Sequence, residues 1–175
     1  MQDFIKYILQ DWQVNKGTSF KSRLILLMFR TAQVLDRVPK ILKIISTLYR
    51  FFYQIVVEYI FGVEIPVSVQ IGSNLQLHHP HAIVINNQTI IGANCVLRHS
   101  TTIGNKKLSD GSYSNSPKIG NNVEIGTSVV IIGDITVGDD AVIGAGSIVV
   151  KNVPAESIVA GNPAKIIRIK NGATV

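Results

Sequence analysis

The chain has a single cysteine, Cys95, in 175 residues, which excludes an internal disulfide framework and any cysteine-rich zinc site. A reducing compartment is the simpler expectation. Aromatic residues are nearly missing from the second half: eleven of the twelve lie at or before Phe61, and only Tyr113 lies beyond. Glycine is scarce in the first part instead, with thirteen of its fourteen copies from Gly62 onward. No apolar run is long enough to span a membrane, because the greasiest stretch, 41–63, is broken by Lys43, Arg50 and Glu58. The basic, apolar and cleavage segments of a secretory leader do not open the chain, so a cytoplasmic location is expected. Neither GxxxxGK[ST] nor a helix-opening GxGxxG is present. Nucleic acid is not among the expected partners.

What is present falls into two regimes that meet near Gly62. With 46% hydrophobic residues and a mean hydropathy of +0.29, the chain is built to fold. Basic residues outnumber acidic ones nine to four in residues 1–62, but only eight to seven in residues 63–175. The net charge of +6 is therefore mostly an N-terminal property.

Residues 1–62 read as a helical segment. Leu24, Leu27, Met28, Val34, Leu35 and Val38 recur at helical spacing until Pro39 interrupts. Ile41, Ile44, Ile45, Leu48, Phe52, Ile55, Val56 and Tyr59 then form a second stripe that ends at Gly62. Packing against the rest of the protein is the ordinary use of such a stripe. The alternative is a basic amphipathic surface resting on anionic lipid, a peripheral contact at the inner membrane face.

Residues 63–159 read as a repeat. Ile65, Ile71, Leu77, Ile85, Ile91, Leu97, Ile103, Ile119, Ile125, Ile131, Val137, Ile143 and Val149 return every sixth position, with two interruptions. The fifth place after the start is small or β-branched, as at Val69, Thr89, Cys95, Thr101, Val123 and Ser147. Neither the 3.6-residue helix nor the two-residue strand keeps a six-residue register. Short strands separated by turns, stacked as a parallel β-helix around an aliphatic interior, do keep it. The fold expected is mainly β, with residues 160–175 as a C-terminal tail.

The two interruptions mark corners. Leu77 to Ile85 is two residues too long and holds His78, His79, Pro80 and His81; Ile103 to Ile119 is ten too long and makes a loop over 105–118. Surplus residues cannot enter a stacked core, so they protrude where sites are built. Three hexapeptides per coil, the number implied by the family resemblance given next, would put Leu97 over Leu77 and Ile119 over Leu97, so that His79, His99, Asn121 and Asp139 share a column.

The motifs Phe61-Gly62-Val63-Glu64-Ile65, Leu77-His78-His79, Ser116-Pro117-Lys118-Ile119-Gly120, Ile143-Gly144-Ala145-Gly146-Ser147 and Ala160-Gly161-Asn162-Pro163-Ala164-Lys165 resemble the hexapeptide acyltransferase superfamily. Within it, the chain is similar to serine acetyltransferases and to colanic-acid-type polysaccharide O-acetyltransferases. The resemblance implies a left-handed β-helix and acetyl-CoA as donor. It also implies a homotrimer whose clefts hold shared sites, with a hexamer not expected because the N-terminal segment is short. By the same resemblance His79 is the general base and Glu64 the carboxylate that orients it. Gly104, Asn105, Thr127 and Ala145 would lie along the pantetheine arm, and Lys151 or Lys165 near the adenosine phosphates. The bland readings are a structural histidine cluster, a solvated Glu64, and glycines that serve only turns.

A base is what this chemistry requires. An alcohol is a poor nucleophile near neutral pH, and a neutral imidazole can take its proton as it attacks a thioester. In the serine enzymes an aspartate precedes the histidine, and an Arg-His pair in the long loop holds the amino-acid carboxylate. Here those places are His78 and Asn115-Ser116. Loss of the cationic clamp points to a neutral carbohydrate hydroxyl, as in capsular or exopolysaccharide synthesis and its machinery. Asp11, His78, His99 and Ser116 are the candidate acceptor contacts; Asp11 is alternatively an exposed surface acid, and His99 a solvated corner histidine. Serine O-acetylation is the rival activity, and a non-catalytic hexapeptide scaffold the rival of another class. His78, His79, His81 and His99 lack the spacing of a zinc site, so no metal is expected.

Overall fold

The computed structural model describes residues 2–37, 39, 41 and 43–170. Its N-terminal part comprises α1 (Gln2–Ile8), α2 (Phe20–Asp36) and α3 (Lys43–Tyr53), which runs on into π-helical turns over Gln54–Ile60. Ser19 caps α2, its hydroxyl accepting from the Ser22 amide at 3.1 Å.

The rest is a parallel β-helix of three sheets. Sheet A stacks β1 (Val63–Glu64), β4 (Ile83–Ile85), β7 (Thr102–Gly104), β10 (Val130–Ile132) and β13 (Ile148–Val149). Sheet B stacks β2 (Gln70–Ile71), β5 (Ile90–Ile91), β8 (Lys118–Ile119) and β11 (Thr136–Val137). Sheet C stacks β3 (Gln76–His78), β6 (Val96–Arg98), β9 (Glu124–Ile125), β12 (Val142–Ile143) and β14 (Ser157–Gly161). The five rungs of sheet A, about 4.8 Å apart, make a stack of roughly 20 Å. All thirteen aliphatic repeat residues are buried, as are Val69, Thr89, Cys95, Thr101, Val123 and Ser147 at the fifth place. Each buried Ile, Leu or Val contributes about 1.5–3 kcal/mol, so the ladder is the main favourable term of the solenoid.

The corners need left-handed backbone. On the corner between sheets B and C, Asn74, Asn94, Asn122 and Asp140 have φ of 55–60°, a conformation short polar side chains tolerate. There the amide of Asn74 donates to Asn94 at 2.9 Å, and that of Asn94 to Asn122 at 3.0 Å.

The first coil is closed by the helices. Arg30, fully buried, donates to the carbonyls of Ile71 (2.8 Å) and Gly72 (2.6 Å) and to the Asp11 carboxylate (2.7 Å). Asp11 in turn accepts from the Leu75 amide at 2.9 Å. Asn15 bonds both Leu75 and Leu77, Gln33 reaches the carbonyls of Val67 and Val69, and the Tyr53 hydroxyl reaches that of Ile65. These side chains satisfy backbone groups that the next coil would satisfy elsewhere in the stack. Ile25, Leu26, Phe29, Ala32 and Val57 supply the apolar part of the plug.

Three expectations are corrected. α2 turns Ile25, Leu26, Met28, Phe29 and Ala32 inward, so of the expected stripe only Met28 is buried; Leu24, Leu27, Val34 and Leu35 are half-buried, and Val38 lies outside the described residues. The stripe of α3 faces outward, with Ile44, Leu48 and Phe52 74%, 65% and 54% exposed, while its buried face is Ser46 and Tyr53. The supposed tail instead carries a strand, β15 (Ala164–Ile169), antiparallel to β14. Ile119 lies over Ile91, not Leu97, and Leu97 lies under Ile125. The long loop is an insertion within one hexapeptide step, so it adds length without skipping a sheet. Asn121 and Asp139 therefore belong to the corner between sheets B and C, where the Asp139 carboxylate accepts from the Asn121 amide at 2.7 Å.

Candidate active site

The corner between sheets C and A gathers the histidines. β3 and β6 pair with His78 opposite Arg98, which sets His79 one coil from His99. Their rings meet edge to face, with centroids 6.2 Å apart and planes at 79°. The surplus residues are absorbed between His79 and Ala82, both with left-handed backbone (φ 51° and 49°), so the flanking strands stay in register. Non-glycine residues seldom adopt that conformation, and here it occurs at an exposed His79 on the corner.

The next residue in the column is Thr127, 28 positions after His99: one eighteen-residue coil plus the ten surplus residues of the loop. Its hydroxyl oxygen lies 2.7 Å from His99 Nε2 and donates to the His99 carbonyl at 3.2 Å. The corrected register makes this contact legible in the sequence. Ala145 follows one coil on, where the Gly146 amide donates to the Thr127 carbonyl at 2.8 Å. Ala145 also explains Gly126: a Cβ there would lie 2.6 Å from the Ala145 nitrogen, so the adjoining coil excludes any side chain.

His78 is half-buried, and its imidazole titrates below the ordinary histidine value because burial disfavours its charge and Arg98 and His79 add to that effect. It therefore stays neutral beside His79 near neutral pH.

Glu64 lies on the outward face of sheet A, opposite Val84. It shares a groove with Arg50, Val84, Asn86, Thr102 and Gly104. Among the described residues its carboxylate makes no ion pair, and it makes no hydrogen bond to His79. A Cβ at Gly104 would meet only Asn86, at 4.0 Å. None of the described residues requires glycine there.

The remaining candidates are spread over other places. Ser116 is buried at the corner between sheets A and B, donating to Asn86 Oδ1 at 2.7 Å. Asn105 starts the loop from that same corner, where Lys107 and Tyr113 bridge the two arms of a tight hairpin. Lys151 follows β13 and Lys165 lies on β15; both are exposed. Asp11 is 2% exposed, and both its oxygens are engaged by Arg30 and Leu75. It is not an exposed surface acid, and its carboxylate helps to close the first coil. Cys95 is buried, with its thiol pushed to a higher value by desolvation.

The bacterial transferase hexapeptide family (six repeats) matches residues 116–151. The colanic acid biosynthesis acetyltransferase WcaB of Escherichia coli is 41% identical over 118 residues, covering 67% of this chain and 71% of that protein. The chain belongs to the hexapeptide-repeat transferases. A solved serine acetyltransferase of Neisseria gonorrhoeae superposes with a TM-score of 0.80 and 28% identity, over 99% of this chain and 68% of that one. Another, from Brucella abortus in complex with coenzyme A, gives 0.80 and 26% over 98% and 70%. The solenoid is thus a left-handed β-helix, and the protein is a hexapeptide-repeat acetyltransferase. Among the described residues, no helix is long and apolar enough to cross a membrane. No three His, Cys, Asp or Glu side chains among them are grouped as a metal site.

Proposed function

We propose that this acetyltransferase moves an acetyl group from acetyl-CoA to a carbohydrate hydroxyl, in synthesis of a surface polysaccharide. The observation that carries the reading is the exposed, left-handed His79 edge to face with His99. His79 takes the proton of the acceptor hydroxyl as its oxygen attacks the thioester carbonyl. The C–O bond forms, the C–S bond breaks, and the proton passes to the departing thiolate. Glu64 is the carboxylate that turns toward the imidazolium when acceptor is bound. His78 and His99 contact the acceptor.

The donor lies between copies of the chain. Gly104, Asn105 and Lys151 are at the far edge of sheet A from Thr127 and Ala145, so one chain offers two half-sites. A homotrimer that sets one edge against the other edge of a neighbour makes them one cleft. Ser116 would then shape the loop through Asn86, and Lys165 is the least supported donor contact because it lies on sheet C.

A carbohydrate is favoured over serine because the loop offers Asn115 and Ser116 where a carboxylate needs a cation. The likeness to serine acetyltransferases favours the rival. Free-thiol release is measured with acetyl-CoA and panels of serine, sugars and polysaccharides. Release with a carbohydrate but not with serine is expected. Release with serine alone establishes the rival. Absence of coenzyme A binding by calorimetry leaves the scaffold.

A further inference from the structure

The place after each aliphatic ladder residue is glycine in seven of the thirteen repeats. Close stacking is the reason: a Cβ at Gly72 would lie 2.5 Å from the Ala93 nitrogen, and one at Gly126 2.6 Å from the Ala145 nitrogen. On sheet C that place reads His78, Arg98, Gly126, Gly144 and Ala160. Large side chains stand there only on the two coils of the histidine corner.

Arg98 lies opposite His78 across the β3–β6 pair, and His99 follows it in the chain. It is exposed, and among the described residues its guanidinium makes no ion pair and no hydrogen bond. Its charge reaches the corner all the same: burial first, and then Arg98, holds the His78 imidazole below its ordinary value. A second cation approaches from the helices. Lys21 on α2 donates to the Phe61 carbonyl at 3.1 Å, beside Gly62, where a Cβ would lie 3.4 Å from His81 Nδ1. Neither cation has a carboxylate partner. Asp11 is engaged by Arg30 and the Leu75 amide, and Glu64 shares its groove on sheet A with Arg50. Glu124 is on the same face of sheet C as Arg98, but it stands opposite Val96 and makes no ion pair.

A base on this corner must become an imidazolium beside a guanidinium that nothing neutralises. That step is opposed unless the ligand brings a negative charge with it. We propose that Arg98 receives an oxyanion of the acceptor, so that the carbohydrate acetylated is an acidic one, with a carboxylate or a phosphate close to the reacting hydroxyl. The inference rests on the carbohydrate reading and names the class of carbohydrate. A guanidinium presents a planar fork of donors that matches either group. Free serine fits less well, because its carboxylate comes with an ammonium that the same two cations repel.

The test is NMR titration of the full-length protein, with coenzyme A present, using two matched pairs of ligands. One pair is a glucuronate-containing oligosaccharide and its carboxyl-reduced form; the other is a sugar 1-phosphate and the free sugar. The wild type should bind the charged member of one pair about 10- to 100-fold more tightly than the neutral member. A preference in the first pair identifies a carboxylate, and in the second a phosphate. Arg98→Gln should remove the preference with circular dichroism unchanged, and Arg98→Lys should restore part of it, since a point charge lacks the fork. Equal affinity within both pairs overturns the inference, as does a preference that survives Arg98→Gln. Thiol release from acetyl-CoA on the same ligands separates this inference from the reading beneath it. Equal turnover of neutral and charged members overturns the inference alone, and turnover of serine only overturns both. If Arg98→Gln slows both members alike and moves the pH–rate profile, Arg98 tunes the histidines without touching the acceptor, and the inference fails.

Discussion

Thr127 stands one coil above His99, with its hydroxyl oxygen 2.7 Å from the ring nitrogen Nε2. The contact orients the imidazole whichever tautomer the ring carries. His99 Nδ1 is buried and has no hydrogen-bond partner among the described residues. Thr127→Val should lower kcat/KM for the acceptor about 3- to 10-fold, the worth of one hydrogen bond, and shift the pH–rate profile. Thr127→Ser should restore both; equal loss in the two variants would make Thr127 a packing residue only.

His79→Ala should reduce turnover about 100-fold or more, with circular dichroism and sedimentation unchanged. Turnover within a few-fold of wild type, on an established acceptor, would remove His79 from the reaction.

Asp11 and Arg30 are tested through stability. Asp11→Ala leaves a buried guanidinium without its counter-charge, and should cost about 3–5 kcal/mol in denaturant unfolding. Below its lowered midpoint the variant should keep the wild-type KM for the acceptor. A raised KM without loss of stability would return Asp11 to the acceptor site.

Ala145→Trp should raise KM for acetyl-CoA far more than that for the acceptor, because it fills one ligand's path in the cleft. Sedimentation of the wild type should show a trimer. An active, stable monomer would leave the two halves of the donor site unjoined.

Two titrations check the local environments. Cys95 should resist a thiol reagent near neutral pH in the native state and react once the protein is unfolded, since burial raises its thiol. His78 is lowered in the folded state, so its contribution to stability is present above the ordinary histidine value of about 6.5 and is lost as pH falls through the folded value. His78→Gln should flatten that part of the acid limb of stability against pH.

The six-residue period told the interior of the solenoid residue by residue, because a stacked coil allows only one inward place for each aliphatic. It also brought His79 beside His99, since a two-residue surplus confined to a corner leaves the strands paired. The register beyond the long loop was misread, as length alone does not say whether an insertion occupies a hexapeptide step. That error hid the contact of Thr127 with His99. Periodicity showed that α3 has an apolar stripe but not what the stripe faces, because a helix that packs inward and one that faces outward carry the same pattern. Asp11 and Arg30 were illegible for another reason: a buried ion pair is written in the same residues as a solvated one.

The helical plug on the first coil has a consequence for how copies of this chain can meet. Repeat stacks grow into fibres when the head of one presents strand edges to the tail of the next. Here the carbonyls and amides of Ile65, Val67, Val69, Ile71, Gly72, Leu75 and Leu77 are already taken by side chains of the same subunit. One blocked end is enough to stop head-to-tail growth of the stack into a filament.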